Sequence, residues 1–159
     1  MADAFIVRRS GGSSSAAVSG YIFKDGDEYS HITGGWIKHS GFGTLSNNGS
    51  ALVMHQPAAS YSSHYGMFRT ANPIDISSCD TVTVECDTIS PYVDYRLKLT
   101  IWTSGDQVAA QTNGKYNTTS ISCDISALTG KHYIGFYLYN YWDGVAATGI
   151  TAYVKSVKI

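Results

Sequence analysis

Tyr133-Ile134-Gly135-Phe136-Tyr137-Leu138-Tyr139-Asn140-Tyr141 alternates between two kinds of side chain. A β-strand turns successive residues to opposite faces. Read as a strand, the stretch puts Ile134, Phe136 and Leu138 on one face and Tyr137, Tyr139 and Tyr141 on the other. The aliphatic and phenyl set belongs in a core, and the tyrosines then line a surface or a groove. Tyr95 to Thr103 repeats the pattern, with Tyr95, Leu97, Leu99 and Ile101 opposite Arg96, Lys98, Thr100 and Trp102. Thr81 to Asp87 repeats it again, with Val82, Val84 and Cys86 opposite Thr81, Thr83, Glu85 and Asp87. Period two dominates, and no helical stripe competes with it.

Working outward, the other apolar runs are short and bounded by turn residues. Tyr21-Ile22-Phe23 precedes Asp25-Gly26, Trp36-Ile37 follows Gly34-Gly35, and Ala51 to His55 follows Asn48-Gly49. Met67 to Thr70 precedes Asn72-Pro73, and Val108 to Gln111 lies between Gly105 and Asn113-Gly114. Ser120 to Ile125 and Ala152 to Ile159 complete the set. Strand signals every ~8–15 residues with turns between them predict an all-β sandwich or barrel. A parallel α/β fold is disfavoured, because crossover helices to cover the sheet are missing. At most one short helical turn is expected, near Ser126-Ala127-Leu128. Residues 20–159 form the expected domain. Residues 1–19 read as an arm, Phe5-Ile6-Val7-Arg8-Arg9, followed by the flexible linker composition Ser10-Gly11-Gly12-Ser13-Ser14-Ser15.

Composition narrows the function classes. The chain has 159 residues, which suits one domain. Charged residues are 14% and the net charge is -1, so the basic footprint of a nucleic-acid binder is missing and no such partner is expected. No run approaches the ~18 apolar residues of a membrane span, so insertion into a membrane is not expected. The start has its basic pair after a short apolar run, the reverse of a secretory leader, which points to synthesis in a cytoplasm. Cys79, Cys86 and Cys123 are odd in number and cannot all pair internally. Cys86 continues an apolar face and reads as a buried thiol. A Cys79–Cys123 disulfide stays open, although uncommitted thiols suit a reducing compartment.

Three segments together resemble the jelly-roll β-sandwich of carbohydrate-binding modules and galactose-binding-like domains. They are Ile74-Asp75-Ile76-Ser77 leading into Val82 to Cys86, then Cys123-Asp124-Ile125-Ser126-Ala127-Leu128-Thr129-Gly130 leading into Tyr133-Ile134-Gly135-Phe136, and the closing strand through Val154, Val157 and Ile159. The resemblance covers residues 20–159 and implies two antiparallel sheets. It speaks more to fold than to ligand, since the same sandwich hosts many roles. Separately, Ala4 to Gly12 resembles the start of small structural proteins of tailed bacteriophages, in which a short anchor precedes an exchangeable surface domain. Ile32-Thr33-Gly34-Gly35-Trp36 is similar to modules of phage tail or head-fibre proteins. These resemblances imply a virion protein made in a bacterial host cytoplasm and displayed on the particle surface. Phe5, Ile6, Val7, Arg8 and Arg9 would attach it to other virion proteins or to sister copies.

The surplus aromatics carry the remaining chemistry. Sugars present C–H faces that stack on rings and hydroxyls that pair with Arg, Asn and Asp. A platform of Tyr92, Arg96, Trp102, Tyr139, Tyr141 and Trp142, with Asn140 and Asp143 nearby, is expected to bind host-surface or mucosal glycans. Outward tyrosines are also ordinary sheet-surface residues and are enriched at subunit interfaces. A purely structural capsid-decoration or tail subunit is therefore the alternative. Asp25, Asp27 and Glu28 could hold a structural Ca²⁺, as jelly-roll modules often do, but Asp25-Gly26 already explains itself as a turn. Catalysis is the least supported class. Glu28 and Glu85 are the only glutamates, and neither has a converging acid. His31, His39, His55, His64 and His132 show no metal spacing, and no GxSxG elbow or phosphate loop occurs.

Overall fold

The computed structural model describes residues 20–29, 32–58, 64–87, 95–113, 119–140 and 148–159, with residues 95 and 96 described in their backbone. These residues form thirteen strands, numbered in chain order, and no helix. The strands build two antiparallel sheets packed as a sandwich. One sheet holds β1 (Tyr21–Lys24), β2 (Asp27–Glu28), β4 (Thr44–Asn47), β5 (Leu52–Gln56), β8 (Thr81–Cys86), β11 (Ser120–Asp124) and β13 (Ile150–Lys158). The other holds β3 (Trp36–Gly41), β6 (His64–Thr70), β7 (Ile74–Asp75), β9 (Tyr95–Trp102), β10 (Val108–Gln111) and β12 (Lys131–Asn140). The strand orders are β11-β8-β13-β1-β2 and β10-β9-β12-β6-β3, an arrangement compatible with a jelly roll. In the first sheet, β13 carries β8 along one edge. It pairs with β5 through its first half and with β1 through its second along the other edge.

The core is built from the alternation that the sequence displays. Val82, Val84 and Cys86 of β8 face inward with Ile121 and Cys123 of β11 and Ala152, Val154 and Val157 of β13. Opposite them lie Leu97, Leu99 and Ile101 of β9 and Ile134, Phe136 and Leu138 of β12. Trp36 bridges the layers. Its ring stacks on Phe136 of the second sheet at 5.7 Å between centroids and meets Phe23 of the first edge-on at 6.5 Å. Such offset and edge contacts suit the ring quadrupoles.

The two Asp-Ile-Ser segments share one local structure. Asp75 Oδ1 accepts hydrogen bonds from the Ser77 amide and hydroxyl, at 3.1 and 2.7 Å. Asp124 Oδ1 does the same with Ser126, at 2.9 and 2.7 Å. Each Asp thus closes a turn with its own side chain, while the isoleucine between, Ile76 or Ile125, plugs the core. The Ser126 amide and hydroxyl hold the Asp124 carboxyl below its ordinary range. The expected helical turn at Ser126 to Leu128 is a single turn, closed by the Leu128 amide on the Ile125 carbonyl. Gly130, with φ of +81°, then turns the chain into β12 in a conformation that side chains disfavour.

Cys79, Cys86 and Cys123 are all buried and none is in a disulfide, so the Cys79–Cys123 bridge left open by the sequence is not formed. Burial, with the charges of Glu85 and Asp87, pushes the Cys86 thiol up to about 11. That keeps it protonated and unreactive at neutral pH.

Phe136 touches both layers through Trp36, so Phe136→Ala should destabilise the domain by about 3–5 kcal/mol. Thermal unfolding checks this, with Tm expected to fall by roughly 2–4 °C for each kcal/mol lost.

Candidate functional site

Both outer faces of the sandwich carry exposed tyrosines, but they group their side chains differently. On the first sheet, the outward residues of β8 and β11 are polar. Thr81 pairs with Asp124, Thr83 with Ser122 and Glu85 with Ser120, and the Ser120 hydroxyl donates to the Glu85 carboxylate at 3.0 Å. On the second sheet, the outward residues are largely rings and long side chains. Along β12 they are Tyr133, Gly135, Tyr137 and Tyr139, which the register flanks with Trp102, Thr100, Lys98 and Arg96 of β9. On the other flank, β6 sets Arg69 beside Gly135, Met67 beside Tyr137 and Tyr65 beside Tyr139. Period two on three adjacent strands is enough to gather these residues on one face.

Within that face lies a groove of about 490 Å³ lined by Tyr65, Met67, Lys98, Val108, Gln111, Tyr137 and Tyr139. Its size falls within the usual range of small-ligand sites. Tyr137 is its centre: the ring lies 6.2 Å from Tyr65 and 5.6 Å from Trp102 between centroids. Gly135, two residues before Tyr137, adds no side chain to this face, and a methyl there would run into the Phe68 carbonyl oxygen and Arg69. Polar groups of the floor are held in place. Gln111 Nε2 donates to Thr100 Oγ1 at 2.8 Å, and the Ser40 hydroxyl donates to the Met67 sulfur at 2.8 Å.

A charged strap crosses the same face beyond Gly135. Arg69 is 7% exposed, and its guanidinium lies 3.8 Å from the centre of the Tyr133 ring. Its Nη1 donates to Asp106 Oδ1, while His39 Nε2 lies 3.6 Å from Asp106 Oδ2. Asp106 reaches this position from the tight connection between β9 and β10. There the Thr103 amide bonds to the Gln107 carbonyl at 2.8 Å, and Asp106 adopts a left-handed φ of +62°. The Arg69 hydrogen bond, aided by the charges of Arg69 and His39 against a smaller desolvation, holds the Asp106 carboxyl below its ordinary 3.8.

The expected platform is redrawn by these contacts. Trp102 points away from the core, as the alternation requires, but its ring is 1% exposed and does not face solvent. It is flanked by Val108 and Tyr133, and Tyr137 packs on its ring, so Trp102 supports the groove instead of forming its surface. Tyr139 lines the groove. Arg96 lies on β9 beside Tyr139 by its backbone. Tyr92, Tyr141 and Trp142 lie outside the described residues, as does the attachment segment Phe5, Ile6, Val7, Arg8 and Arg9. Tyr65, Met67, Lys98, Val108, Gln111 and Tyr137 are the groove residues missing from the expected platform. The tyrosine alternation of β12 pointed to Tyr137, whereas Tyr65 required knowing that β6 pairs with β12. Asp25 has a left-handed φ of +51° in its turn, and Glu28 lies against Gly35. Among the described residues, no three His, Cys, Asp or Glu side chains gather as a metal site.

Neither the models of known protein families nor the curated proteins contain a match to this sequence.

A carboxyl whose pKa is lower in the folded than in the unfolded chain stabilises the fold above the unfolded value. That contribution fades as pH falls through the folded one. Asp106→Asn keeps a residue that tolerates the left-handed conformation but removes the charge. Denaturant midpoints should therefore be lower for Asp106→Asn at neutral pH, and the gap from the parent should close as pH falls below 3.8. A gap that stays constant across this range would show that the strap's charge contributes nothing.

Proposed function

We propose that the chain is a non-enzymatic carbohydrate-binding sandwich, displayed on a bacteriophage particle and directed at host-surface or mucosal glycans. The observation that carries the sugar-binding reading is the groove on one outer face where Tyr65, Tyr137 and Tyr139 gather. Exposed rings held by backing residues suit the C–H faces of a pyranose, because stacking needs a ring that is already in place. Tyr65, at 43% exposure, and Tyr137, backed by Trp102, meet that requirement from two strands. Gln111 supplies an amide next to them, and Lys98 an ammonium. A single shallow site of this kind binds weakly, and many copies on one particle raise avidity through effective concentration. The placement on a phage rests on the resemblance of residues 4–12 and 32–36, with Phe5 to Arg9 as the attachment.

A glycan array followed by calorimetry on the full chain tests the sugar reading. Tyr65→Ala should weaken the best binder by about tenfold, consistent with ~1.4 kcal/mol for losing one stacked ring. Unfolding by denaturant should remain close to the parent, because Tyr65 is exposed. Binding to no sugar, together with stable oligomers that Tyr65→Ala disrupts, would instead identify the groove as a contact between structural subunits.

The attachment reading has its own test. Particles produced with the chain lacking residues 1–19 should lose the protein from the purified virion, while the soluble sandwich keeps its fold and its sugar binding. Retention of the truncated chain on the particle would place the attachment elsewhere.

A further inference from the structure

The charge of the groove is one-sided. Among the described residues that line it, Lys98 is the one ionic side chain and none is an acid. Lys98 stands directly beside Tyr137 by register, with its side chain half-buried on the sheet. Among the described residues, the ion pairs on this face are made by Asp106, and both go to Arg69 and His39 at the strap. The third pair, Lys155 with Asp87, belongs to the other sheet. Among the described residues, Arg69 is thus neutralised within the face by Asp106, whereas Lys98 lines the groove and is in none of the ion pairs.

From this we infer that the groove selects anionic saccharides, with Lys98 receiving the acidic group of a sugar whose ring stacks on the tyrosines. The inference rests on the sugar-binding reading above and adds the class of sugar. A half-buried ammonium beside an aromatic wall is less screened than one on an open surface, so it discriminates charge more strongly. Lysine acts as a point charge with three donors, so carboxylate and sulfate both satisfy it. The neighbouring Gln111 amide offers an acceptor for a hydroxyl of the same sugar.

Matched pairs that differ in charge alone test this on the full chain. Polygalacturonate is compared with the same polymer after reduction of its carboxyls, sialyllactose with lactose, and a sulfated galactan with its desulfated form. The expected result is tighter binding to the acidic member of at least one pair by roughly five- to tenfold at low salt. That preference should shrink as ionic strength rises, and the pair that shows it tells uronate, sialate and sulfate apart. Lys98→Met should abolish the difference between the acidic ligand and the neutral one. Lys98→Arg should keep the preference, and denaturant unfolding should confirm that both variants are folded. Equal binding of acidic and neutral partners, or a preference that survives in Lys98→Met, overturns the charge selection while leaving sugar binding intact. No binding to either member of any pair overturns both.

Discussion

The middle strand of the second sheet must satisfy two environments at once, and the rest of the molecule is arranged around that demand. Ile134, Phe136 and Leu138 are fully buried between the sheets, while Tyr133, Tyr137 and Tyr139 lie on the far side. A shift of one residue against β9 or β6 would exchange the two sets, placing three tyrosines in the core and three large apolar side chains in water. The hydrophobic penalty of that exchange is on the order of 2 kcal/mol for each apolar side chain. Register is therefore fixed by burial, and the same register decides which residues of β9 and β6 stand beside the tyrosines. The groove is a consequence of the core pattern, not an addition to it.

Fixing the register also sets how rigid the groove is. Tyr137 rests on Trp102, and Trp102 lies between strands at both its sides. Gly135, in the same strand, approaches the Phe68 carbonyl and Arg69 too closely to admit a side chain. Arg69, placed level with Gly135, extends over Tyr133 to the β9–β10 connection. That contact combines a charged hydrogen bond with a cation above a ring, and each is stronger where water is partly excluded. The buried indole therefore backs Tyr137 in the groove while the strap holds Tyr133 beside it, which lessens the ordering left to be done when a ligand arrives.

The first sheet shows the same alternation put to a different use. Its inward residues are apolar like those of the second sheet, and the outward residues of β8 and β11 are Thr, Ser and acids that meet across the strands, whereas β1 and β13 turn Tyr21 and Tyr153 outward. The buried thiols sit on the inner side, where burial holds the Cys86 proton in place.

Much of the architecture was legible in residue order because strand periodicity is a local property. The strands of Thr81 to Cys86, Tyr95 to Trp102 and Lys131 to Asn140 fall where the alternation predicts, and the two Asp-Ile-Ser turns close through contacts only two residues apart. Thr44–Asn47 gave no such signal, since a short polar edge strand buries too little to leave a pattern. The groove was legible in part. Tyr139 could be assigned to an outward face from its own strand, whereas Tyr65, Met67 and Lys98 join it only because β6 and β9 flank β12. Trp102 marks the boundary between the two kinds of knowledge. Alternation alone sends its ring away from the core, but whether an outward ring meets water depends on neighbours far away in the chain. Strand pairing supplied them, as it supplied Asp106 for Arg69, because both contacts join residues whose separation in sequence says nothing about their distance in space.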